Sequence, residues 1–131
     1  MIARTLYLDR WVCQFFFATG GEDAAGICRL LRRKGVSRRV VERACELIES
    51  GVLNSGFTIS NGAIRHSVVF IGPTSSGAEF LDTFVHELRH LINDIADSLE
   101  LDLDAEAPAY MAGDAARALA DVVCKLGCVK K

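Results

Sequence analysis

The apolar positions change period several times along the chain, and each change marks an element. "TLYLDRWVCQFFFAT", from Thr5 to Thr19, is dense in β-branched and aromatic residues. It predicts one long strand, or a strand broken near Asp9 and Arg10. "GGED" punctuates it. Asp23 suits the cap of a helix over 24–34, with Ile27, Leu30 and Leu31 on its apolar stripe and Gly35 as its stop. Ser37 caps a second helix, about 38–50, which turns Val40, Val41, Ala44, Leu47 and Ile48 inward and ends at Gly51. "GFTISNGAIRHSVVFIG" predicts a hairpin, because Asn61-Gly62 is a favoured type I′ pair. That turn would set Ile59 opposite Ile64 and Phe57 opposite His66. "SVVFI" continues as a buried strand, 73–77 form a loop, and a helix starts near Ala78.

The period over residues 81–99 is that of an amphipathic helix. At 100° per residue, Leu81, Val85, Leu88, Ile92, Ile95 and Leu99 gather on one side, with Phe84 and Leu91 beside them. His86 and His90 fall opposite, near Thr83, Asn93 and Asp97. "SLELDLDA" then alternates leucines with acids, the period of a half-buried extended segment. The helix is therefore expected to end at 97–99 and the chain to return extended. Pro108 belongs in the first turn of the next helix. The order β, α, α, β, β, α, α predicts one mixed α/β or α+β domain over 1–131, a small sheet packed against helices.

Composition narrows the picture little: 131 residues, half of them hydrophobic, are enough for one buried core. The net charge of −2 argues against a whole-protein role in coating nucleic acid. Charge is unevenly placed, however. Seven of the 15 basic residues lie between Arg29 and Arg43, and 11 of the 17 acids between Glu79 and Asp121. The cysteines number five, with no C-x-x-C pair, so reduced, mostly buried thiols in a cytoplasmic protein are expected. "FFFA" is too short for a signal core, and no run approaches a membrane span.

Candidate chemistry sits in "TFVHELRHLIND". His86 and His90 project from one stripe a turn apart, a spacing that lets two ring nitrogens meet one zinc ion. Glu87 lies about 100° further round, where it would flank the ion as a general base for an activated water. Composition alone expects H-E-x-x-H about 0.004 times in such a chain.

The motif His86-Glu87-Leu88-Arg89-His90 resembles that of the zincin metallopeptidases. The resemblance implies a sheet lying on the active-site helix, with an edge strand along the substrate cleft. His66, Val68 and Val69, on the strand before the helix, become candidate substrate-binding residues. The longer metzincin motif is absent, since Asn93 and Ala96 stand where its glycine and third histidine would be. What remains is similar to gluzincins, in which a downstream glutamate is the third ligand.

Asp94, Asp97, Glu100, Asp102, Asp104 and Glu106 are all available downstream. Glu106 is favoured because it opens a helix of gluzincin-like placement and because an extended "SLELDLD" would carry it back to the metal. A tight hairpin would instead leave it level with residue 98. Tyr110 stands four residues later, where thermolysin-type enzymes carry an acid, and is a candidate to support a histidine or an oxyanion. A zinc peptidase of this kind would take a peptide or protein substrate, with a partner or regulator completing a shallow cleft. Two other readings compete: a catalytically silent zincin-like module, and a DNA-binding protein. The second rests on the helix-turn-helix outline over 24–50, with Arg38, Arg39 and Arg43 at its second helix.

Overall fold

A computed structural model describes residues 1–128. Strands β1 (Ile2–Leu8) and β2 (Trp11–Phe17) form an antiparallel hairpin. Asp9 and Arg10 make its turn at φ 45° and 65°, so the type I′ conformation falls here and breaks the long strand. Helix α1 (Ala24–Arg33) is capped by the Asp23 carboxylate, and α2 (Arg38–Ser50) by the Ser37 hydroxyl. Gly51 closes α2 in the left-handed conformation. Strands β3 (Gly56–Asn61) and β4 (His66–Ile71) follow, then α3 (Gly77–Ser98), α4 (Glu106–Ala118) and α5 (Ala120–Leu126).

The sheet order is β1-β2-β4-β3, with β2 and β4 parallel in the centre and β3 at an edge. Odd-numbered residues of β2 and β4 face α3, α4 and α5, where Trp11, Phe15, Phe17, Val69 and Ile71 join Phe84, Leu91 and Ile95 in one core. Even-numbered ones face α1 and α2, where Val68 and Phe70 join Leu31, Val41 and Ile48 in another. The fold is α+β, three layers deep, and β4 is buried along its whole length. Burial on both faces explains the unbroken apolar run of "SVVFI".

Three local expectations are corrected. Asn61 pairs with His66, Ile59 with Val68 and Phe57 with Phe70, so the hairpin register differs from the two-residue turn. The Asn61 side chain instead caps a 3-10 turn over Gly62–Ile64, and Arg65 takes the left-handed position. Residues 99–105 do not return extended. Glu100 turns at φ 56°, Leu101 N–H bonds back to the Ala96 carbonyl at 2.7 Å, and Asp102 caps a second turn through the Asp104 N–H. The helix end anticipated at 97–99 is thus a compact left-handed stop, and Leu99 and Leu101 pack on the core from it.

The cysteines are the third correction. Cys28 and Cys45 are joined as a disulfide that ties α1 to α2. Cys13 is a buried thiol pushed up to about 12 by burial, and Cys124 and Cys128 are exposed. Among the described residues no helix is long and apolar enough to cross a membrane. The bond spans a sequence separation of 17. Removing it by Cys28→Ser with Cys45→Ser is expected to lower the unfolding free energy by about 3 kcal/mol, through the freed denatured chain. Urea denaturation measures this, and an unchanged midpoint would contradict it.

Candidate metal centre on α3

Ser76 caps α3 by accepting from the Glu79 N–H at 3.1 Å, and Glu79 supplies the acid that suits this end of the dipole. From that start the helix buries Phe80, Thr83, Phe84, Glu87, Leu88, Leu91, Ile92, Ile95 and Ala96. The buried face is rotated from the expected stripe. Leu81 and Val85 are exposed, whereas Thr83 and Glu87 are inside. The rotation follows from two neighbours: the sheet takes the face of Phe84 and Leu91, and α4 takes that of Leu88 and Ile92.

His86 and His90 remain at the surface. Their Nε2 atoms face one another at 3.2 Å, with the rings nearly perpendicular. Two zinc–nitrogen bonds of ordinary length at a tetrahedral angle would hold the nitrogens about 3.3 Å apart. The pair therefore has the bite that such an ion takes. Glu87 is only 5% exposed. Its Oε1 accepts from the Thr58 hydroxyl of β3 at 2.9 Å, and its Oε2 lies 4.0 Å from His86 Nε2. Gly56, the first residue of the same strand, lies close enough that a Cβ there would meet Glu87 Cγ at 3.2 Å. Edge strand β3 thus roofs the carboxylate and fixes one of its oxygens.

A second contact docks β3 on α3. Trp11 Nε1–H donates to Ser67 Oγ at 2.9 Å, Ser67 to Ser60 Oγ at 2.6 Å, and Ser60 to Asp94 Oδ2 at 2.6 Å. Donors and acceptors run in one direction, so every hydroxyl in the chain is used. Thr58, Ser60, Ser67 and Trp11 were not anticipated as site residues. Their signal was present: "FTIS" alternates, and its polar half is the one that α3 covers. Phe57 and Ile59 face α1 and α2, so Thr58 and Ser60 face α3.

The remaining candidates are not gathered at this centre. Among the described residues, no group of three or more His, Cys, Asp or Glu side chains is placed to hold a metal ion, so Glu106 is not brought alongside the histidines. It opens α4 directly after the compact turn, one helical turn before Ala109, which lines a groove with Arg89 and Asn93. Tyr110 is 68% exposed on α4 and makes no hydrogen bond to either histidine.

His66, Val68 and Val69 lie on central strand β4, whose two edges are both paired, and all three are buried. Buried in this way they line no open cleft, and β1 and β3 are the edge strands of the sheet. His66 faces the α1–α2 layer and its Nε2 lies 2.6 Å from Gln14 Oε1. A cavity of about 770 Å³ at the N-terminus of α3 is lined, among the described residues, by no carboxylate or imidazole. No family model, curated protein or solved structure matches this chain.

Thr58→Val leaves a buried carboxylate oxygen without its donor and is expected to destabilise the fold by about 1–3 kcal/mol, with Thr58→Ser near wild type. Chemical denaturation distinguishes them, and equal stability of all three would contradict the assignment. Burial, and secondarily the Lys34 charge, hold the His66 pKa below its ordinary 6.5. The unfolded chain therefore binds the proton more readily than the fold. The stability His66 contributes is complete above 6.5 and falls as pH drops through that value toward its lower folded pKa. His66→Gln is expected to flatten the pH dependence of the unfolding midpoint in that window, and an unaltered slope would refute this.

Proposed function

We propose that the chain is a zinc-dependent metallopeptidase with Glu87 as its general base. The observation that carries the reading is the convergence of His86 Nε2 and His90 Nε2 at 3.2 Å beside a carboxylate held under an edge strand. His86 and His90 would hold the ion, and the zinc would supply an acidified water and a polarised carbonyl.

Thr58 fixes Glu87 Oε1, which leaves Oε2 on the side of His86 to accept and return a proton. The unpaired edge of β3 suits an extended peptide, whose backbone would continue the sheet. Beside the histidines, a groove of about 270 Å³ lined by Val85, Leu88, Ile92, Pro108 and Ala112 has room for an apolar side chain. Glu106 stays our proposed third ligand, and reaching the histidines would require α4 to shift. A second reading, a silent metal-binding module, is favoured by the absence of a gathered third donor among the described residues.

We keep the cytoplasmic expectation as part of this proposal. The Cys28–Cys45 bond is the observation against it, because such bonds persist in oxidising compartments.

Metal analysis of protein purified without chelator or affinity tag tests the reading. About one zinc per chain is expected in wild type, with large loss in His86→Ala and His90→Ala. Glu87→Gln should keep the zinc and lose peptide hydrolysis by on the order of a hundredfold or more. No zinc in wild type would sink the proposal. Hydrolysis by neither protein, with zinc retained, would select the silent module, and full zinc retention in Glu106→Ala would move the third ligand elsewhere.

A further inference from the structure

The layer on the other face of the sheet carries a feature unrelated to the histidines. Arg29, Arg32 and Arg33 lie on the outward side of α1, Lys34 follows, and Arg38, Arg39 and Arg43 begin α2. All six arginines are exposed. Among the described residues, only Arg38 has an acidic partner, Glu42 at 3.0 Å. The Cys28–Cys45 bond fixes the two helices to one another, so the charges sit on a braced platform. Glu46 and Glu49 bound the patch in the last half of α2.

Two aspects of the placement matter. Arg32 and Arg33 close α1, where cations suit the helix dipole. Arg38 and Arg39 open α2, whose first turn holds no acid, so each opposes the dipole. An external anion relieves that repulsion. The acids that would balance the patch are mostly in α3, α4 and their connection, on the opposite side of the sheet. The mild overall charge therefore conceals two faces of opposite sign.

We propose that the α1–α2 corner is a docking surface for the phosphate backbone of duplex nucleic acid, bound without sequence selection. Six guanidinium groups suit phosphate oxygens, which they can meet with paired donors. No aromatic residue lies between Ala18 and Ser50 to stack unpaired bases, and no Asn or Gln is present there to read base edges. Self-association through the acidic face is the weaker alternative. Exposed ion pairs each contribute little in water, whereas a duplex adds the release of condensed counterions. The surface differs from the peptidase site in face and chemistry, so either can fail alone.

Fluorescence anisotropy of a labelled mixed-sequence duplex, titrated at several salt concentrations, tests this. Wild type is expected to bind at low salt with an affinity that falls steeply as salt rises. Arg38→Gln, Arg39→Gln and Arg43→Gln combined should lower the log–log salt slope by about 2.7, at about 0.9 per phosphate contact. Circular dichroism checks that the variant folds, and Lys125→Gln, on α5, should leave the slope unchanged. Absence of binding at low salt, a wild-type slope in the triple variant, or equally tight binding of polyglutamate would each overturn the proposal.

Discussion

A carboxylate taken under a strand must find hydrogen-bond donors or lose its charge. Glu87 meets that condition through Thr58, and Asp94 meets it through Ser60 on the same strand. These two contacts set how α3 lies against β3, and much of the candidate centre follows. With Glu87 and Leu91 turned to the sheet, His86 and His90 are carried to the rim beside the free edge of β3. With Leu88 and Ile92 turned to α4, the apolar groove opens on the other flank. The single helix therefore separates the edge of β3 from this groove, with two imidazoles between them.

The same helix ties the centre to the core. Trp11 is fully buried, yet its indole N–H begins the chain of donors that ends at Asp94. A buried polar network of this kind is costly unless every member is satisfied, and among the described residues no buried side-chain nitrogen or oxygen lacks a partner. The register of β3 on β4 is correspondingly constrained. Ser60 must sit opposite Ser67, which forces the longer connection through Gly62–Ile64. A two-residue turn at Asn61-Gly62 would have shifted that pairing.

Much of this architecture was legible from periodicity. Helix α2 begins and ends where Ser37 and Gly51 said it would, and α1 differs by one residue from its expected end. The fold class and the helical setting of both histidines were also legible. What escaped depends on which neighbour arrives. Leucines alternating with acids over 99–104 have the pattern of a strand, but the left-handed turn at Glu100 sends Leu99 and Leu101 to the same core. Thr58 and Ser60 have the pattern of a wet strand face, and only the docking of α3 makes them interior. Cys28 and Cys45 lie on different helices, so their pairing is a product of how the helices cross. The place of Glu106 was tied to the extended return and changed with it.

The central claim is that His86 and His90 share one metal ion. X-ray absorption at the zinc edge, on protein loaded with one equivalent of zinc, observes the ligands directly. The account expects nitrogen and oxygen donors near 2.0 Å with outer-shell scattering from two imidazoles, lost in His90→Ala. Sulfur at about 2.3 Å would assign the ion to exposed cysteines instead, and a shell of oxygen alone would show that the histidines do not hold it.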